Sequence, residues 1–185
     1  SDTDDGTWNG APLTLPRIQG ADVCGEIVAV GRDVSTERIG QRVIIEPVLR
    51  EVAGETLERA HYFGSECDGG FAQFTKVASV HAHHINSKLS DEELASFPCS
   101  YSTAENMLTR AGLSRGETVL ITGASGGVGS AAIQLAKARG ARVIAVVSAD
   151  KAVPIRALGA DVKPWHLRCA ARTAPTKPCG AGAPS

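Results

Sequence analysis

Gly123, Gly126 and Gly129 stand three residues apart in the run Gly-Ala-Ser-Gly-Gly-Val-Gly. Glycine at this spacing suits one kind of chemistry. A chain without Cβ atoms turns sharply and lets a phosphate oxygen approach its backbone N–H groups, which carry partial positive charge at a helix N-terminus. The neighbouring residues supply that setting. Thr118-Val-Leu-Ile-Thr122, an apolar β-type run, leads into the glycines. Behind them Val128, Ala131, Ala132, Leu135 and Ala136 recur on one helical face, with Ser130, Gln134 and Lys137 opposite and Ile133 off the stripe. Strand, glycine loop and helix are the order of a dinucleotide-binding turn. The competing reading is a glycine-rich turn that binds nothing. A Walker-type site is disfavoured, because no Gly-Lys-Ser/Thr follows.

The second strand of such a unit places its tip beside the adenosine ribose. Here that strand is Arg142-Val-Ile-Ala-Val-Val147, and its tip is followed by Ser148 and Lys151. A hydroxyl and an ammonium suit a 2′-phosphate, so NADP is the expected cofactor. Asp150, 21 residues after Gly129, is the rival: an acid gripping a 2′-hydroxyl would mean NAD. The plainer reading of Ser148-Ala-Asp150 is a helix cap.

The elements that must hold these residues follow from periodicity and turn signals. Residues 1–19 read as loop, broken by Gly6, Gly10, Pro12 and Pro16. Residues 23–30, 42–47 and 70–77 read as three short strands of a β-rich unit, and residues 49–67 as a polar surface excursion. Ser90-Asp-Glu-Glu93 fits a capping box, so a short helix starts there and stops before Pro98. A longer helix spans residues 102–111 and ends at Gly112. From Gly116 the order is strand, helix, strand, helix, with Gly140 at a C-cap and the last helix over residues 149–158. Pro154 fits that helix only in its first turn. The fold class is α/β, with the opening of a parallel doubly wound sheet behind a β-rich unit.

Composition sets bounds on the rest. The chain has 185 residues, 43% hydrophobic and 21% charged, with a formal net charge of −1. That is an ordinary globular composition, without the basic excess that nucleic acid or an anionic membrane demands. No apolar run approaches the ~20 residues of a membrane span, and the acidic start does not read as a signal peptide. Five cysteines without repeating spacing do not form a disulfide framework, so a reducing, cytoplasmic setting is expected. The charge is uneven. Residues 162–185 hold four basic residues (Lys163, Arg168, Arg172, Lys177) and no acidic ones, leaving 15 basic against 20 acidic before them, a net of −5. That segment has four prolines and no apolar period, and reads as an unstructured tail.

Further runs occur in order: Gly25-Glu-Ile-Val-Ala-Val-Gly31, Ile39-Gly-Gln-Arg-Val43, Gly69-Gly-Phe-Ala-Gln-Phe74, Thr103-Ala104, the segment from Gly116 through Gly129, and Leu158-Gly-Ala-Asp161. Together they resemble the medium-chain dehydrogenase/reductase superfamily, which includes zinc alcohol dehydrogenases and quinone oxidoreductases, over about residues 12–161. The resemblance implies a partial GroES-like catalytic domain over residues 1–98 and the first half of a Rossmann domain over residues 99–161. The unstructured tail would be residues 162–185. It implies hydride transfer between nicotinamide and a small-molecule carbonyl, quinone or conjugated alkene. By the same resemblance, Gly123, Ser125, Gly126, Gly127, Val128 and Gly129 form the pyrophosphate loop, Ser148 and Lys151 hold the 2′-phosphate, and Thr103 packs at the nicotinamide end.

Zinc members carry Gly-His-Glu where this chain has Gly20-Ala21-Asp22, and the four-cysteine lobe is absent. Cys99 falls at a retained ligand position. Cys67 and Asp22 are read as a small buried thiol and a capping acid, and His81, His83 and His84 as a solvated cluster. No metal site is therefore expected, and the zinc-independent, quinone-reductase-like branch is favoured over a zinc alcohol dehydrogenase. Tyr101 is the candidate proton donor, against a packing role at the domain junction. The family's chains are about twice this length, and the abrupt change after Asp161 reads as a shifted frame. A non-catalytic cofactor-binding remnant is thus the alternative to an active enzyme. The complete protein could be a homo-oligomer.

Overall fold

The computed structural model describes residues 7–8, 11–52 and 54–164. Two units follow one another. The first is β-rich. A minimal ladder joins β1 (Thr7–Trp8) to β2 (Ala11–Pro12). An antiparallel sheet has the order β3 (Cys24–Glu26), β4 (Arg42–Ile45), β7 (Ala82–His84). A hairpin pairs β5 (Val48–Val52) with β6 (Glu55–Tyr62). Its core gathers the buried Ile45, Leu49 and Phe63, with Val23, Cys67 and Val77 against them.

Four expectations for this unit change. Within the expected loop of residues 1–19, residues 7–8 and 11–12 pair in the β1–β2 ladder. The strand expected over residues 23–30 pairs regularly only through Glu26, with two further bonds, Ile27 N–H to Gln41 O at 3.0 Å and Gly40 N–H to Ile27 O at 2.8 Å. Most of residues 49–67 form the β5–β6 hairpin, held inward by Leu49 and by Phe63 just after β6, whose burial outweighs the polar residues around them. Residues 70–77 join no ladder. Their first amides instead reach back, Gly70 N–H to Gly20 O at 2.8 Å and Phe71 N–H to Gln19 O at 2.9 Å, and Phe71 and Phe74 stay 78% and 66% exposed. Alternation is necessary for a strand, but a ladder also needs a partner edge. The stretches 23–31 and 70–77 face a groove of about 600 Å³.

The second unit begins at helices α1 (Asp91–Ala95) and α2 (Pro98–Arg110). Ser90 caps α1 with both halves of the expected capping box: Glu93 N–H donates to Ser90 Oγ at 3.2 Å, and Ser90 N–H to Glu93 Oε2 at 2.8 Å. α2 starts four residues earlier than the sequence suggested, because Pro98 sits at its first position, where a missing N–H costs nothing. Next come β8 (Thr118–Thr122), α3 (Gly127–Ala138), β9 (Arg142–Val147), a 3₁₀ turn at Ala149–Lys151, α4 (Ala152–Ala157) and β10 (Asp161–Pro164). Pro154 lies in the first turn of α4, as its ring requires.

The sheet order is β10-β9-β8 and all pairs are parallel. The third strand therefore runs to Pro164, three residues past the expected end of the α/β unit, and Val162 packs on the core that anchors it. The rest of the expected unstructured tail, residues 165–185, lies outside the described residues. One sheet face is covered: Ile121, Val143, Ala145 and Val147 pack with Ala132, Ile133 and Ala136 of α3 and Ile155 of α4. Leu120, with the opposite parity on β8, remains 62% exposed.

Candidate cofactor site

The loop after β8 closes by a tight bond, Gly126 N–H to Gly123 O at 3.1 Å, with Gly123 at a φ of +59° that favours glycine. Gly126 is the N-cap of α3, no side chain caps it, and the first helical bond runs from Ser130 N–H to Gly126 O at 2.8 Å. The N–H groups of Gly127, Val128 and Gly129 consequently have no acceptor within the helix. A Cβ on Gly129 would stand 2.5 Å from Gly123 O and 2.7 Å from Ala124 Cα, so this glycine sets how closely the helix packs on the turn. On the outer side the loop is open. A Cβ at Gly123 would meet nothing within 4 Å, and one at Gly126 only Gly123 O at 3.5 Å. Ser125 is exposed, and Val128 is half-buried against the core.

The tip of β9 stands beside this loop, since Thr122 is in register with Val146. Ser148 and Lys151 are exposed there. The Asp150 carboxyl is held below its ordinary range, chiefly by the hydrogen bond from the Ser148 side chain and then by backbone N–H groups and the Lys151 charge.

α2 meets the loop from the other side. A Cβ on Gly127 would come 2.7 Å from Ser100 Oγ, so Ser100 packs on the first turn of α3. The sequence reading missed this residue, whose only signal was its place between Cys99 and Tyr101. Thr103 is exposed one turn beyond Cys99. Burial, then the Asp22 carboxylate, pushes the Cys99 thiol up from its ordinary value. The backbone N–H of Cys99 donates to Asp22 Oδ1 at 2.7 Å.

Tyr101 points elsewhere on the helix. Its ring stacks on Phe97 with centroids 4.3 Å apart and packs against the core of the second unit. With Phe97 it lines a crevice of about 160 Å³, shared with Ile44, Glu46 and His83, between the two units.

Among the described residues, no group of three or more His, Cys, Asp or Glu side chains is gathered as a metal site would need. The histidine run is not the solvated cluster its sequence suggested. His83 and His84 are exposed, but His81 is 7% exposed, and its Nε2 accepts the N–H groups of Arg50 at 3.3 Å and Glu51 at 3.2 Å. It ties β5 to the turn before β7. Burial raises the Cys67 thiol, in keeping with a small packed side chain.

Known proteins share this arrangement. Residues 1–87 match the alcohol dehydrogenase GroES-like domain. An acryloyl-coenzyme A reductase of Metallosphaera sedula is 36% identical over 163 residues, covering 80% of this chain and 47% of its own. An alcohol dehydrogenase of Geobacillus stearothermophilus is 37% identical over 174 residues, covering 87% of this chain and 51% of its own. In three dimensions, a Sinorhizobium meliloti protein described as a candidate alcohol dehydrogenase superposes with a TM-score of 0.74 at 49% identity, covering 81% of this chain and 42% of its own. The chain belongs to the medium-chain dehydrogenase/reductase superfamily. It spans about half the length of the curated relatives it matches. In superfamily terms, the β-rich unit is GroES-like, and order β10-β9-β8 is one half of a Rossmann sheet. Among the described residues no helix is long and apolar enough to cross a membrane.

Proposed function

We propose that this chain is the nucleotide-gripping part of an oxidoreductase that passes hydride between NADP and a small carbonyl, quinone or conjugated alkene. The observation that carries the reading is the bare first turn of α3: three N–H groups without helical acceptors, behind a loop that is open beside Gly123 and Gly126. That cradle fits a pyrophosphate, which takes up such N–H groups and complements the helix dipole. When bound, the nicotinamide supplies the hydride chemistry itself.

The chain's own residues then have defined tasks. Gly127, Val128 and Gly129 offer backbone donors, while Gly123, Ser125 and Gly126, whose own N–H is taken by Gly123 O, shape the turn. Ser148 and Lys151 bind the 2′-phosphate; the Asp150 carboxylate, on the turn between them, is the rival candidate for a ribose diol. Thr103 supports the nicotinamide end from α2. Tyr101 anchors the crevice between the units, and its stacking on Phe97 favours that packing role over proton donation. Residues 1–98 would form the substrate side and the α/β unit the nucleotide side, in a cytoplasmic enzyme.

Fluorescence titration of the purified chain with NADPH and NADH tests the cofactor. Tighter NADPH binding is expected, and tighter NADH binding would reverse the assignment of Ser148 and Lys151. A second reading is nucleotide binding without turnover. NADPH oxidation with quinone and enone substrates separates the two.

A further inference from the structure

We propose that Asp22 is a positioning residue: it caps α2 from the β-rich unit and thereby fixes the glycine loop relative to that unit. The helix opens without a local cap. Phe97, at the N-cap, has helical dihedrals and makes no side-chain bond, and Pro98 has no N–H to offer. The Cys99 N–H is thus the first donor of the helix, and it reaches Asp22 Oδ1 at 2.7 Å across 77 residues of sequence. A carboxylate is the favoured group at that end, for its charge and as an acceptor.

Asp22 is itself mounted on fixed backbone. On one side Gly20 O accepts Gly70 N–H at 2.8 Å, and on the other Val23 O accepts Ile45 N–H at 3.1 Å. Beyond Cys99, the same turn of α2 presents Ser100, which the missing Cβ of Gly127 lets approach the start of α3. The contacts run without a gap from the β-rich unit through Asp22, Cys99 and Ser100 to Gly127. Asp22 joins the two units by a long-range cap on α2, beside the Arg42–Asp91 ion pair on α1, and at Asp22 the acceptor oxygen matters more than its charge.

The test compares Asp22→Ala, which removes the acceptor, with Asp22→Asn, which keeps one, in the whole 185-residue chain. Native-state hydrogen exchange reads the Cys99 amide and, on α3, the Ser130 amide. In Asp22→Ala, protection at Cys99 should fall about 5-fold, the worth of a typical N-cap, and protection at Ser130 should fall with it. Asp22→Asn should stay within about twofold of wild type at both positions, and it keeps the comparison available if the alanine variant folds poorly. Unchanged protection at Cys99 in Asp22→Ala, a loss at Cys99 that does not reach Ser130, or equal losses in both variants would each overturn the proposal. NADPH titration adds a readout that rests on the functional reading above. If wild type binds neither NADPH nor NADH, that reading fails while the exchange data still decide the role of Asp22. If wild type binds, Asp22→Ala should weaken binding about 5-fold and Asp22→Asn should not.

Discussion

The glycines of the loop differ in what they tolerate, and Gly129→Ala and Gly126→Ala should separate folding from binding. A methyl at Gly129 would lie 2.5 Å from Gly123 O, 2.7 Å from Ala124 Cα and 3.0 Å from Ala124 C, all backbone atoms. Reaching an ordinary contact of 3.4 Å means withdrawing α3 from the turn by about 0.9 Å. Overpacking of this kind costs about 2–3 kcal/mol. Alanine in a helix returns about 1 kcal/mol of backbone propensity. The net loss is about 1–2 kcal/mol, which lowers Tm by roughly 2–8 °C in a chain of this size. A methyl at Gly126 meets only Gly123 O at 3.5 Å, an ordinary contact, but it fills the open side of the cradle. That variant should melt within about 1 kcal/mol of wild type, the loss being that of a poorer N-cap, and should lose most of its NADPH affinity. Calorimetry and fluorescence titration on the same samples read both quantities. The reasoning is refuted if Gly129→Ala melts at the wild-type temperature, or if Gly126→Ala binds NADPH as well as wild type.

Other perturbations have expected outcomes. His81→Ala orphans the Arg50 and Glu51 N–H groups and should cost about 2 kcal/mol, with faster amide exchange confined first to β5 and β6. Ser90→Ala removes one half of the capping box and should cost about 1 kcal/mol in urea melts. The Cys99 thiol is raised by burial and by Asp22, so alkylation mapped by mass spectrometry should be slow at neutral pH and climb only in a more alkaline range than for a free thiol. Because its folded value is raised, this group favours the fold fully below the unfolded value, and that contribution disappears as pH rises through the folded one. Asp22→Asn should move the alkylation profile toward lower pH.

What was legible in the sequence was what is decided locally. β8, the glycine loop, α3 and β9 follow from apolar periodicity and turn chemistry within about 30 consecutive residues, and the Ser90 capping box from four. The β5–β6 hairpin escaped notice because its strands are polar on most positions, and only Leu49 and Phe63 turn inward to a core assembled from elsewhere. Residues 70–77 show the opposite error: a strand-like mix of aromatic and polar residues, with no partner edge. At the site, the glycines and the strand tip could be read from spacing, but Ser100 against Gly127 and Asp22 at Cys99 are made by tertiary packing. His81 looked polar and therefore wet; its burial depends on two amides of a strand thirty residues away.

The order of the parallel strands also governs when the nucleotide-binding unit can assemble. Thr118 pairs with Arg142, and Ile144 with Asp161, so every ladder in this sheet joins stretches separated by one helix. Such short closures cost little entropy and do not wait for distant chain. Each strand of the sheet closes on its neighbour across one helix. The Asp22 contact instead joins Cys99 across 77 residues of sequence, so its closure costs more chain entropy than any ladder of the sheet.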